Sequence, residues 1–274
     1  MNKKIKKIKQ LNFAQQMPGF RATGVMHSEF ETDPFLIFGE FYNDRSVFGP
    51  HPHAGVSVMT YILPDSIGSF LNRDSLGDRS IIDPGGMHVS QTGTGIFHDE
   101  LPETVGIECH AFQIWINHSE KDRFAEPKSF HLSSKEVPVW LNDNMSLRVL
   151  LGSYQTLISP VELLTQTLLF DVTLQANSSV EFHTQQMAFV YLISGGIHID
   201  GQEVNARGVV TFEEKGDKIM ISTADEPANF MLASGTPFKE PMVNGGHFVM
   251  TTQKQMQATS ARLQRGEMGH LSVV

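Results

Sequence analysis

The chain contains very little cysteine, and this scarcity excludes one means of stabilising a fold. Among its 274 residues there is a single cysteine, Cys109, so no intrachain disulfide can form. Such usage is typical of proteins in a reducing compartment. Cys109 lies in the alternating stretch IECHAFQIWI, where we expect a buried structural thiol.

Long apolar runs are also missing. No stretch approaches the roughly 20 apolar residues that a membrane-spanning helix needs. The basic start of the chain, MNKKIKKIKQLNF, continues into AQQMPGFRA and not into the apolar core of a signal peptide. We therefore expect a soluble, cytoplasmic protein that makes no membrane contact.

Positive charge is scarce and is concentrated in one place. The formal net charge is −9, with 21 Lys and Arg against 30 Asp and Glu. A phosphate-binding surface needs clustered basic side chains, so we expect no direct nucleic-acid binding. The exception is a run near the N-terminus, which we interpret as a solvated, partly mobile end; it comprises Lys3, Lys4, Lys6, Lys7 and Lys9.

Short strand-like segments are abundant. Runs such as GVSVMTYIL and MAFVYLI alternate with Gly- and Asp-rich turns such as DPGG and TGTG. Many short strands at close spacing are typical of an all-β sandwich or barrel. One helix is predicted near the C-terminus, in TTQKQMQATSARLQRG, with Thr251 or Thr252 as N-cap and Gly266 as its end. The stretch SPVELL, residues 159–164, predicts at most one helical turn.

An internal repeat divides the chain. HAGVSVMTYIL begins at His53 and HTQQMAFVYLI begins at His183, and each places its histidine eight residues before a tyrosine. The offset is 130 residues, close to half the chain. A repeat of this length predicts two related β domains. We place them at residues 1–142 and 143–274.

Two histidines separated by a proline suggest a metal site. A strand directs residues i and i+2 to the same face, so His51 and His53 point the same way if this segment is extended. Pro52 favours extension, because it disfavours the helical region for the residue before it. Its missing N–H costs nothing at a strand edge.

A second pair, His98 and Glu100, repeats this spacing, with Asp99 directed to the opposite face. About four strands separate the pairs, which is enough to bring both to one inner surface. Three imidazoles and one carboxylate suit a divalent transition metal, and they leave two positions of a six-coordinate ion open. The corresponding positions of the second repeat include two non-coordinating residues and predict a barrel without a metal; they are Glu181, His183, Ile221 and Thr223.

Several stretches together resemble the pirin family of bicupins. They include HPHAGVSVMTYI, NRDSLGDRSIIDPGG, GTGIFHDE and, in the second half, SGTPFKEPMVNGGHFVMTT. The resemblance covers roughly residues 15–270. It implies two cupin barrels face to face, with one mononuclear metal in the N-terminal barrel. The resemblance implies Fe(II) as the main candidate for this metal, with Zn, Ni, Mn or Cu as alternatives. The residues at the positions of the family's metal ligands are His51, His53, His98 and Glu100.

The resemblance leaves two functions open. One is a quercetin 2,3-dioxygenase-like enzyme that acts with O2 on a flavonol-like or enolisable substrate; in it Glu100 is a ligand and, once detached, a catalytic base. The other is a metal- or redox-responsive co-regulator that binds a protein partner without turnover. For either we expect a monomer. Ala54, Asn72 and Thr94 depart from the family pattern, and we expect them near the mouth of the barrel, where they would bear on substrate identity.

Three further histidines lie outside the predicted ligand set. His88 and His110 alternate with strand neighbours, so each is either a partner that orients a ligand ring or a structural histidine. His247, in NGGHFVMTT, receives no chemical role from its sequence context.

Overall fold

The computed structural model describes residues 1–273, which consist mainly of short strands joined by turns. In the first half the strands are β1 (Ile5–Gln10), β2 (Ala14–Met17), β3 (Phe20–Met26), β4 (Phe35–Asn43), β5 (His51–His53), β6 (Val56–Ile62), β7 (Phe70–Asp74), β8 (Arg79–Ile82), β9 (Met87–Gln91), β10 (Ile96–Pro102), β11 (Cys109–Asn117) and β12 (Lys128–Leu132). A four-residue helix, α1 (His27–Phe30), and a 3-10 turn, Glu120–Asp122, interrupt them.

The remaining strands form the second half and, from residue 243 onward, a segment that we call the C-terminal extension. They are β13 (Val139–Asn142), β14 (Met145–Leu151), β15 (Ser153–Tyr154), β16 (Leu157–Ile158), β17 (Thr167–Leu174), β18 (Ser179–His183), β19 (Met187–Ser194), β20 (Gly196–Ile199), β21 (Gln202–Asn205), β22 (Gly208–Phe212), β23 (Lys218–Ser222), β24 (Ala228–Gly235), β25 (Val243–Gly245) and β26 (Phe248–Met250). Helix α2 (Gln253–Gln264) follows. Within residues 1–273 no helix has the length and apolar character needed to cross a membrane.

The first barrel consists of two antiparallel sheets. The larger has the strand order β12-β9-β6-β11-β4-β3-β2, and the smaller has the order β5-β10-β7-β8. Apolar side chains from both sheets share one core, in which Phe41 and Ala111 of the larger sheet meet Phe70 and Ile82 of the smaller. Cys109 is buried in this core, as expected, and burial raises the pKa of its thiol to about 12.

The second barrel repeats this plan. Its larger sheet has the order β1-β22-β19-β24-β17-β14-β13, and its smaller sheet has the order β18-β23-β20-β21. Its interior is apolar: Phe170, Phe182 and Phe230 pack there among aliphatic side chains. The predicted all-β architecture of two barrels is confirmed.

The N-terminus is not the mobile end expected from its lysines, because it forms a paired strand, although Lys4 and Lys6 are exposed to solvent as expected. Strand β1 pairs antiparallel with β22, which without β1 would be an edge strand with unpaired backbone groups. Lys3 is only 3% exposed, and its ammonium donates to the carbonyl oxygens of Gln186, Glu213 and Glu214 at 2.7, 3.1 and 3.2 Å. These contacts hold the first residues of the chain against the second barrel.

The C-terminus crosses in the opposite direction and packs on the first barrel. Phe248 forms a bridge with Ala54, and Val249 donates its N–H to the carbonyl oxygen of Ala54 at 3.1 Å. Met256 and Met268 add apolar contacts to this cluster. The two termini thus cross the proposed domain boundary at residue 142, which stays a prediction.

The C-terminal helix forms where the sequence predicts it, and SPVELL stays within the predicted limit of one helical turn. Helix α2 starts after Thr252, whose hydroxyl accepts from the N–H of Gln255 at 3.2 Å while the Gln255 side chain accepts from Thr252 N–H at 3.1 Å. This reciprocal capping satisfies two free donors of the first turn. No helical turn forms at 159–164, where the Ser159 hydroxyl donates to the Leu150 carbonyl at 2.7 Å and does not cap a helix.

Two tyrosine–carboxylate hydrogen bonds link the two barrels across their interface. The hydroxyl of Tyr61 donates to Asp171 at 2.5 Å, and that of Tyr191 donates to Glu40 at 2.7 Å. The tyrosines are 130 residues apart and the carboxylates 131, so the internal repeat relates the two bonds. They lie within the largest apolar cluster of the protein, which contains residues of both halves. Nε2 of His110 donates to the Glu40 carboxylate at 2.7 Å as well.

We predict that Tyr191→Phe lowers the free energy of unfolding by about 1–3 kcal/mol, because the buried carboxylate of Glu40 loses a donor. Denaturant unfolding measures this change. Tyr154→Phe is the matched control, since Tyr154 packs in the second barrel away from the interface. Equal stabilities for the two variants would contradict a stabilising role of the bond.

Candidate metal centre

Three histidines converge at one end of the first barrel. Strands β5 and β10 pair antiparallel with His51 opposite His98 and His53 opposite Ile96. The ring centroids lie 4.9 Å apart for His51 and His53, 4.7 Å for His51 and His98, and 4.8 Å for His53 and His98. One ring nitrogen of each lies within 4.8 Å of the others. The three histidine side chains therefore lie together, as the sequence predicts.

The nitrogens of two of these rings lack hydrogen-bond partners although the rings are buried. His53 and His98 are 1% and 2% exposed, and neither ring nitrogen of either residue has a partner. Buried polar atoms are nearly always satisfied, and leaving them unpaired is costly. Burial, reinforced by the neighbouring imidazoles, lowers the pKa of both residues, which keeps them neutral. Neutral imidazoles with free nitrogens are the form that binds a metal.

The third histidine has its orientation fixed by the backbone. Nδ1 of His51 lies 2.8 Å from the carbonyl oxygen of Gly49. Because a carbonyl only accepts, Nδ1 carries the proton, which leaves the lone pair on Nε2. Such a bond on the distal nitrogen is the usual way to orient a ligating histidine. The three residues together fit a bound divalent ion.

Glu100 lies beside this cluster, and its role as fourth ligand stays a prediction. It lines the same cavity as His51 and His53, and Gln113 donates to its carboxylate at 3.2 Å. Burial raises the pKa of Glu100 to about 7. Asp99 is paired with buried Arg73, as the alternation of side chains along β10 requires.

An apolar cavity of about 290 Å³ opens next to the histidines. Its wall is largely aromatic and includes Phe20, Phe41, Phe48, Phe70 and Trp115. The Trp115 ring meets His53 edge to face at 4.9 Å, so this residue lines the cavity while also packing against a core cluster. Phe112 is buried in the core between the barrels.

No motif in the sequence places His247 near the three histidines. Its ring lies 4.9 Å from that of His51 and 5.0 Å from that of His53, and it lines the cavity. A sequence signal is absent because His247 stands nearly 200 residues from both partners in the chain. The contact arises only because the C-terminal extension returns to the first barrel.

The other candidate histidines have structural partners. His110 binds Glu40 and stacks on Tyr42 at 4.1 Å, which places it at the interface between the barrels. His88 is 1% exposed and accepts from Asn72 at 3.2 Å. Neither residue therefore bonds to a ring of the three-histidine cluster.

The equivalent positions of the second barrel do not converge in this way. The His183 side chain is 71% exposed, and Glu181 is bound to Lys218 at 2.7 Å. Ile221 is fully buried in the apolar core, and Thr223 donates to the Gln175 carbonyl. A second barrel without a metal stays a prediction that these contacts support.

The sequence matches known families over both halves. The family model described as Pirin matches residues 31–116, and the one described as Pirin C-terminal cupin domain matches residues 169–269. Human pirin is 30% identical over 234 residues, which cover 82% of this chain and 79% of the human protein. The chain belongs to the pirin family. Pirin-like protein 2 of Arabidopsis thaliana is 30% identical over 258 residues, 90% of this chain and 79% of the plant protein.

Solved structures confirm the bicupin fold of this pirin-family chain. Quercetin 2,3-dioxygenase from Acinetobacter baumannii superimposes with a TM-score of 0.88 over 99% of this chain and 100% of that one, at 20% identity. The bacterial pirin YhhW from Escherichia coli, in complex with nickel(II), gives a TM-score of 0.68 over 84% and 99% of the two chains, at 15% identity. At these identities the similarity establishes the fold alone.

We predict that His98→Ala removes stoichiometric binding of a divalent metal while the protein remains folded, because one of three converging imidazoles is lost. Metal analysis after dialysis, with circular dichroism for the fold, measures both. His183→Ala, a change of an exposed histidine, should keep the wild-type metal content. Full retention of metal by His98→Ala would place the site elsewhere.

We predict that Glu100→Gln stabilises the metal-free protein more at pH 8 than at pH 5. The pKa of Glu100 is raised from 4.5 to about 7, so the folded state holds this proton more tightly than the unfolded chain. The wild type therefore loses stability from this group as the pH rises through that range, by about 1–3 kcal/mol. The glutamine variant lacks this loss. Denaturant unfolding at both pH values tests it, and a gain that is independent of pH would refute it.

Proposed function

We propose that this pirin-family chain is a mononuclear metal-dependent dioxygenase that acts on a flavonol-like or enolisable aromatic substrate such as quercetin. The observation that carries the proposal is the pair of buried imidazoles, His53 and His98, whose nitrogens have no partner beside an aromatic cavity. Metal-binding groups next to an apolar cavity with few polar groups are typical of a small-molecule site.

The metal would be held by His51, His53 and His98, with Glu100 as the proposed fourth ligand. When bound, a redox-active divalent ion supplies open coordination positions for an oxygen-donor ligand and for O2 chemistry. We propose Fe(II) as the native ion. Imidazole and carboxylate ligands also accept Ni, Cu, Zn and Mn, so availability decides which ion is loaded. The nickel(II) complex of the Escherichia coli pirin is a property of that protein.

Glu100 is the residue proposed to accept the substrate proton. In the metal-free protein its pKa is about 7, which is suitable for a base that works near neutral pH. A bound cation would lower that pKa, so the role requires that the carboxylate detach when substrate arrives. Gln113 donates to the carboxylate at 3.2 Å and would hold it near the substrate after it detaches.

The aromatic wall of the cavity favours a flat apolar substrate. Phe48 and Trp115 flank the histidines, and rings of this kind bind planar molecules by stacking and edge-to-face contact. The three departures from the family pattern are not among the residues that line this cavity, and their place near the mouth of the barrel stays a prediction. Ala54 and Asn72 are fully buried, and the backbone of Thr94 binds Ala125 and the guanidinium of Arg262.

We predict that the Fe(II)-loaded protein consumes quercetin in air, with loss of the flavonol absorption band and uptake of O2 above the rate of free iron. His98→Ala at equal iron concentration is the matched control and should match the free-iron rate. No turnover by wild-type protein with stoichiometric iron would overturn the enzymatic proposal. That result would favour a metal-responsive protein that binds a partner without turnover.

A further inference from the structure

We propose that His247, which comes from the second half of the chain, is a specificity residue of the first barrel. Its ring forms a hydrogen bond with an oxygen atom of the molecule bound at the metal. This inference deepens the proposed function and rests on it. It assigns one wall of the site to the C-terminal extension. The pocket is then incomplete without residues that follow the second barrel.

The position of the ring supports this role. His247 is as far from His51 and His53, at 4.9 and 5.0 Å between centroids, as the three clustered rings are from one another. Its ring also lies 6.4 Å from that of Trp115, across the same cavity. Within residues 1–273, the cluster of converging ligand atoms comprises His51, His53 and His98, so His247 stands beside the ion site and not in it.

A buried arginine ties the segment that carries His247 to the segment that carries His53. The fully buried guanidinium of Arg123 donates to the carbonyl of Gly55 at 2.8 Å and to the hydroxyl of Thr251 at 3.3 Å. Gly55 lies two residues after His53, and Thr251 lies four residues after His247. Arg123 therefore links the residue just before β6, which follows His53, to the residue just after β26, which follows His247.

The chemistry of the side chain fits the proposed contact. His247 is exposed and lies at the turn between β25 and β26, so its ring can rotate toward a bound molecule. An imidazole can donate to the anionic oxygen of an enolate or accept from a hydroxyl group. A bond of this kind to a charged group changes affinity by about tenfold or more.

The experiment measures binding without turnover. The full-length protein is loaded with Ni(II), and quercetin is titrated under argon while the shift of its absorption band is followed. His247→Ala should weaken quercetin binding about tenfold and leave nickel affinity unchanged. His247→Gln, which keeps an N–H donor, should recover most of the affinity. His183→Ala, a change of an exposed histidine on the second barrel, should match wild type in both measurements.

Two results would overturn the inference while leaving the proposed function intact. Equal quercetin affinity in His247→Ala and wild type would show that the residue does not contact the ligand. A loss of nickel affinity in His247→Ala would make it a metal ligand instead. If wild-type protein binds nickel but no quercetin, both this inference and the proposed substrate class are wrong; turnover by the iron form tests the enzyme independently.

Discussion

The antiparallel register of β5 and β10 is the constraint on which the site depends. It sets His51 opposite His98, and the alternation along each strand then directs His53 to the same side. A shift by one residue would reverse every side chain and send Asp99 inward in place of His98. The buried ion pair between Asp99 and Arg73 opposes such a shift. The shift would separate the two side chains and leave a buried carboxylate and a buried guanidinium without partners, which is costly.

Local spacing was sufficient to predict the part of the site that lies on two strands. Pairs at i and i+2 are a property of the strand itself, so the convergence of His51, His53 and His98 follows once both segments are extended. The capping of α2 by Thr252 is local in the same way. Local spacing does not reveal which distant segments pair with each other. For this reason the sequence alone does not place His247 beside the other three histidines.

The lysine-rich start of the chain shows the same limit. Its charges suggested solvent, and the spacing of its two isoleucines does not alternate, yet the segment forms a strand with alternating burial once β22 is available as a partner. Composition describes what a segment can tolerate, whereas the free edge of a neighbouring strand decides where it lies. Lys3 is buried because three carbonyl oxygens from distant residues accept hydrogen bonds from its ammonium group. The residues next to Lys3 in the sequence do not predict these acceptors.

The exchange of chain ends has a consequence for biosynthesis. Strand β1 leaves the ribosome before its partner β22, which is made some 200 residues later. The extension that covers Ala54 of the first barrel is likewise translated long after Ala54 itself. The first barrel thus gains its finished cavity only after this extension has emerged, and a chain that stops before it would expose an apolar surface where Phe248 and Met256 pack.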